Sequence, residues 1–258
     1  MTQSFDFIPL SQIESNQEHI LAIKRNDLLP LLNDPHRLNH YADHLVQAQS
    51  VLLNGVDPRL NQQLSEVITQ IIQQLSISKK HLGGRRFNAL QKWLGIDVEY
   101  DAGQVKFVKD LERLINEANH LSQRLQIEIQ RSQSRLQQAL GLREQMAAYI
   151  RAADEFLIEY PQFTQQQKLD HFVERLSKKI NTLQTLQTSN DIAMKQMQLS
   201  QELSFGLLDR FKEAQQVLIP AWQYHVKQST ASTSTNTLDQ LDKSREDLIK
   251  NLKKSLQK

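Results

Sequence analysis

The chain has 258 residues, 39% of them hydrophobic, with only 7 glycines and 6 prolines. So few turn formers disfavour a β fold and point to an all-α protein whose long helices bury narrow apolar seams. Its 31 basic and 29 acidic residues leave a net charge of +2, too balanced for nucleic-acid binding by the whole chain. With no cysteine, disulfides, thiolate nucleophiles, iron–sulfur clusters and cysteine-based zinc sites are excluded.

The opening MTQSFDFIPLS has neither a basic segment nor a long apolar run, so no signal peptide is read there. No apolar run approaches the ~20 residues needed to span a bilayer, and a cytoplasmic location is expected. A first helix is predicted over Ser11–Leu29. Asp34-Pro35 and Asp57-Pro58 each place a capping carboxylate before a proline at the first helical position. With Asn54-Gly55 as a helix end between them, they predict helices from Pro35 to about Leu53 and from Pro58 to about Leu75.

His36, His40 and His44 then fall at i, i+4 and i+8 on one helix face beside Asp43. Histidines one turn apart can share a metal ion. No HExxH-type glutamate follows and no second cluster completes a site, so a solvated face is the plainer reading and no metal is expected. In SKKHLGGRRF, Lys79, Lys80, Arg85 and Arg86 surround two glycines, a flexible cationic loop suited to an anion or lipid headgroup. It is not a P-loop, since no strand precedes it and the GxxxxGK[ST] spacing is missing. Ser76 to Gly103 reads as the hinge, with a short helix around Trp93 and a loop ending near Gly103. Residues 1–103 form a smaller N-terminal helical part.

From Gln104 to Glu159 the helical signal is strong. Val108, Leu111, Leu114, Ala118, Leu121 and Leu125 recur at alternating steps of three and four, and Ile129, Leu136 and Leu140 continue the stripe. Tyr160-Pro161 ends it, and Thr164 with Gln167 makes a capping box for the next helix. That helix runs to about Lys227 on a seam through Val173, Leu176, Ile180, Leu183, Met194, Met197, Leu208 and Phe211. Each helix would exceed ~80 Å at 1.5 Å per residue. A link of a few residues makes them an antiparallel, coiled-coil-like hairpin over 104–228, the body of an elongated bundle.

Polar residues Gln187, Asn190, Gln201, Ser204 and Gln215 interrupt the second seam. Such positions can set register or partner, or be covered by water, a third helix or a second copy of the chain. The Ser/Thr-rich run Lys227–Thr237 reads as a frayed linker. The tail over 229–258 regains a leucine stripe. Its basic residues, Lys243, Arg245, Lys250, Lys253, Lys254 and Lys258, suit either an anionic membrane surface or packing on the bundle.

Pro220 stands inside the second helix, two residues before Trp222. A mid-helix proline removes one hydrogen bond, leaves the Gln216 carbonyl without its normal donor and costs ~3 kcal/mol unless compensated. Trp222 would anchor the bent segment against another helix. No catalytic residues emerge: no nucleophile turn, phosphate loop or singled-out carboxylate pair is present. No cofactor is expected, and a non-enzyme is the preferred reading.

The stretch EAQQVLIPAWQ, Glu213–Gln223, resembles the Ile-Pro-x-Trp signature of the toxic anion resistance family, the TelA-like tellurite resistance proteins. Ile219, Pro220, Ala221 and Trp222 match it, Gln196 and Gln201 fall in the expected upstream run, and AAYIRAADEFL (Ala147–Leu157) is similar to the family's Tyr-Ile-x-Ala stretch. The resemblance spans Lys106 to Leu256 and describes a short, divergent member. It departs at Lys195 and Glu202–Ser204, where a proline and an asparagine run are the family's pattern. The resemblance implies a scaffold in resistance to tellurite, other toxic anions or envelope stress, alongside calcium-binding stress proteins of the TerD type. Partner binding would then fall to Pro220, Trp222, Gln196, Gln201 and Asn190. Without cysteine, the chain cannot reduce tellurite with thiols of its own.

Overall fold

The computed structural model describes residues 7–32, 34–82, 96–159, 169–231 and 235–256, and all regular structure among them is helical. The elements are α1 (Gln17–Ile23), α2 (Pro35–Leu38), α3 (Asp43–Ser50), α4 (Pro58–Leu82), α5 (Ile96–Glu159), α6 (Leu169–Glu213), α7 (Ile219–Ala231) and α8 (Thr235–Leu256). The protein is all-α, as its composition and seams predict. The capping box at Thr164 and the helix around Trp93 lie outside the described residues.

The predicted caps form. Asp34 accepts from the backbone N–H of His36 and Arg37 (3.1 and 3.3 Å), and Asp57 accepts from that of Arg59 (3.0 Å). Three boundaries differ from expectation. The helix expected from Ser11 is capped only at Asn16, whose side chain accepts from the Glu18 N–H; α1 then passes into a π turn, Lys24–Leu28. The single helix expected after Pro35 is two, α2 and α3, separated at Ala42, which adopts a left-handed conformation (φ 60°). Buried Leu38, Tyr41, Ala42 and Leu45 supply the reason: a bend there turns all four inward, and packing overrides propensity.

The third difference is that α5 begins at Ile96 and runs through Gly103, where a loop end was expected. A single interior glycine costs about 1 kcal/mol, too little to end so long a helix. Likewise α7 and α8 are helical up to Ala231 and from Thr235, so most of the Ser/Thr run is helix, not linker.

Two compact units result. One joins residues 1–55 to 131–201, the other joins 56–130 to 202–258, so the segments 1–103 and 104–228 are each divided between the units, while 229–258 lies within the second. Each of α5 and α6 contributes to both.

In the first unit α5 and α6 are antiparallel, since Arg143 bonds Asp191 while Ser132 bonds Gln201. The short N-terminal elements bury Ile20, Leu28, Leu38 and Leu45 against Met146, Phe156, Leu176 and Ile180. Buried Ala148, Ala152 and Ala153 on α5 let those elements approach closely. Gly55 sits where a Cβ would meet the Ser200 hydroxyl at 3.3 Å, so any larger residue would make that side chain give by a few tenths of an ångström. Arg135 holds the same connector by donating to the carbonyls of Asn54 and Gly55 (3.1 and 3.2 Å).

In the second unit α4, the first part of α5, the end of α6 with α7, and α8 share one core. Leu64, Ile68 and Leu75 meet Leu111, Leu125, Phe211, Trp222, Leu248 and Leu252. Each such fully buried side chain stabilises the fold by on the order of 2 kcal/mol relative to leaving it exposed.

Candidate functional site

The helix does not break at Pro220; it widens before it. Residues Ala214–Leu218 form a π turn in which the Ile219 N–H donates to the Ala214 carbonyl, five residues back. A proline ring clashes with the carbonyl four residues earlier, and the extra residue in a π turn relieves that crowding. Helix α7 then resumes. Pro220 faces solvent, while Trp222 is 2% exposed in the core of the second unit. Its indole Nε1 is buried without a hydrogen-bond partner among the described residues. Trp222 therefore anchors the segment after the π turn in the core of the second unit.

Three of the polar seam residues, Asn190, Gln201 and Ser204, are met within the chain. Asn190 donates to the side-chain carbonyl of Gln49 on α3 (2.8 Å), and Gln49 donates in turn to the Ala139 carbonyl (3.2 Å). Gln201 donates to the Ser132 hydroxyl (2.9 Å), and Asn61 donates to that of Ser204 (2.8 Å). A third helix thus covers the seam at Asn190. Gln196 lies on the exposed face of α6. Pro220 and Trp222 belong to one unit, and Asn190, Gln196 and Gln201 to the other.

The bend at Ala42 removes the single helical face expected for His36, His40 and His44. His36 is exposed, His40 Nδ1 lies 3.0 Å from an Asp43 carboxylate oxygen, and the His44 ring stands edge-on to Tyr149 at 5.4 Å. Among the described residues, no group of three His, Cys, Asp or Glu is placed to hold a metal ion. Lys79 and Lys80 lie on the last turns of α4, their side chains outside the description, and Arg85 and Arg86 are outside the described residues altogether. On α8, Leu241, Leu248 and Leu252 face the core, leaving Lys243, Lys250, Lys253 and Lys254 exposed, whereas Arg245 is buried beside Asp242 (3.0 Å) and adds nothing to the cationic surface. The tail's apolar stripe is thereby used inside the second unit. Among the described residues, no helix is long and apolar enough to cross a membrane.

The first unit holds buried charge that the sequence reading missed. Arg143, 5% exposed, pairs with Asp191 through Nε–Oδ1 (2.8 Å) and Nη2–Oδ2 (2.9 Å), and Nη2 also donates to the Ile8 carbonyl (2.7 Å). The signal was present: Arg143 continues the apolar stripe Leu136–Leu140 at the next step of three. Lys24, in the first π turn, reaches Glu155 (2.7 Å) and Glu159 (2.8 Å). Burial alone would lower its pKa, but the hydrogen bonds to both carboxylates raise it overall. The Lys24 bond holds Glu155 below the usual carboxylate range. Asp43 is also lowered, because its bonds to Lys179 and His40 outweigh burial. Burial, with Asp27 beside it, pushes the Tyr149 hydroxyl up to about 12.

Fold and site together define an all-α protein whose long helices carry polar seam residues, several of them hydrogen-bonded within the chain. The chain is similar to Protein KlaA of Escherichia coli, with 25% identity over 253 residues that cover 95% of this chain and 98% of the relative. No protein-family model matches the sequence. No solved structure matches it either.

Proposed function

We propose that this chain is a non-enzymatic, cytoplasmic helical binding protein. It contributes to resistance against tellurite or other toxic anions and to envelope stress, and acts through protein partners such as stress proteins of the TerD type. The observation that carries this reading is the Ile219–Trp222 motif: a π turn accommodates its proline, its tryptophan is buried, and it resembles the signature of the toxic anion resistance family. Similarity to KlaA along nearly the whole chain supports treating the resemblance as one of entire proteins.

The test is tellurite survival of a deletion strain carrying the intact gene or Trp222→Phe, with folding checked by circular dichroism. Protection by the intact gene supports the role. Survival unchanged by the intact gene sinks it.

A second reading rests on exposed Lys250, Lys253 and Lys254 at the end of α8, which suit an anionic lipid surface by charge alone now that the leucine stripe is buried. Sedimentation with anionic and neutral liposomes separates the two readings, and binding of this kind weakens with salt.

A further inference from the structure

The N-terminal segment lies against the first unit by few contacts. Phe7 is half-buried on the smallest of the cores, where Leu136, Ala139, Met194 and Met197 meet. The Arg143 guanidinium lies 5.2 Å from the Phe7 ring centroid, with Lys195 at 5.6 Å from the same ring. Beyond it, the Ile8 carbonyl accepts from Arg143 at 2.7 Å, while Ile8 itself is 50% exposed. Most of residues 8–19 are exposed or half-buried. So the arm is held by the Phe7 ring, the Ile8 carbonyl and the partly buried Leu10, which packs on the first unit's larger core.

What lies under that ring is suited to recognition. Two methionines give an apolar floor that can repack around different side chains. The guanidinium is fixed by its bidentate grip on Asp191, so it meets an aromatic face and a carbonyl without ordering cost at the moment of binding. Gln187, 1% exposed, donates to Asp191 (2.7 Å), and its side-chain oxygen is buried without a hydrogen-bond partner among the described residues. Residues 7–12 leave that acceptor unused.

We propose that Phe7–Ile8 is a self-ligand, seated in a docking groove for an extended segment of a partner protein that presents an aromatic side chain followed by a backbone carbonyl. A tethered arm acts at an effective concentration on the order of millimolar, so the groove is self-occupied until a better-fitting segment displaces it. The inference gives the partner-binding reading a surface and a chemistry. A peptide assay tests it separately from the survival assay.

The probe is a fluorescein-labelled synthetic peptide with the sequence of residues 1–12, followed by anisotropy against the full chain and its full-length Phe7→Ala variant. Phe7→Ala is expected to bind the peptide about tenfold more tightly than the intact chain, because its own arm competes less well. A peptide carrying alanine in place of Phe7 should lose that binding. Adding Lys195→Ala, on the exposed face of α6, should weaken it without disturbing the core. Equal binding to both chains, or none to a Phe7→Ala chain that keeps its helical circular dichroism, overturns the proposal. So does a dimer of the intact chain that Phe7→Ala converts to monomer, since the arm would then be exchanged between copies.

Discussion

Arg143 grips Asp191 through two parallel hydrogen bonds, Nε–Oδ1 at 2.8 Å and Nη2–Oδ2 at 2.9 Å, beside the polar seam residues Gln187 and Asn190. Removing one member of a buried pair leaves the other uncompensated, which typically costs about 3–5 kcal/mol. Because the Asp191 side chain keeps 22% exposure, Arg143→Met should fall at the low end, about 3 kcal/mol. Neutralising the partner as well, in Arg143→Met/Asp191→Asn, should recover part of the loss. Urea denaturation of the four chains in this cycle measures it, and strictly additive losses would show that the two residues do not act as a pair.

Trp222 makes two predictions in one position. Trp222→Ala empties a large buried site and should cost about 3–5 kcal/mol. Trp222→Phe keeps an aromatic ring and removes a buried N–H that has no acceptor, so its cost should stay below about 1.5 kcal/mol. Denaturant midpoints of the two variants decide this. Similar losses would mean that the indole nitrogen has a partner, for instance an ordered water.

For Pro220 the π turn predicts a small effect. Were the proline an uncompensated break, replacing it would stabilise the helix by ~3 kcal/mol. With the crowding already relieved and the residue exposed, Pro220→Ala should change stability by about 1 kcal/mol or less, in line with the loss of proline's restriction on the unfolded chain. Thermal melts with circular dichroism detection suffice. A large gain would show that the turn is strained.

Acid should loosen the first unit through Asp43 and Glu155. Both carboxyls are lowered in the folded state, so their contribution is present above the unfolded values, near 4, and is lost as pH falls through the folded ones. Asp154, raised by burial, works in the opposite sense. Lys24 is raised, so its contribution is complete below its unfolded value and lost only at strongly alkaline pH. Lys24→Met should therefore flatten the fall of melting temperature between about pH 5 and 3, since Glu155 would lose its strongest partner. An unchanged slope would assign the acid sensitivity elsewhere.

The long seams were legible because their signal is cumulative: every position from Leu111 to Ile129 that the stripe names is buried. The caps at Asp34 and Asp57 were legible because a carboxylate before proline admits few other uses. The bend at Ala42 was not, because no glycine or proline marks it and only the burial of Tyr41 and Leu45 against distant residues requires it. Pro220 announced a disturbance, but the π turn that absorbs it depends on hydrogen bonding, not on residue type. Gln49 and Asn190, and likewise Phe7 and Arg143, lie more than a hundred residues apart, and no local pattern joins such pairs. The seam's polar positions were visible; what covers them was not.

The interleaving of the two units bears on how the protein is made. The first unit needs residues up to 201 and the second draws on residues up to 258, so neither is complete when the N-terminal half leaves the ribosome. Contacts of such long sequence separation form slowly. The leucine stripes of α4 and α5 then wait, exposed, for partners not yet synthesised. A fragment cut at the apparent hinge near residue 103 would contain neither unit, and aggregation during expression is the expected fate of such pieces.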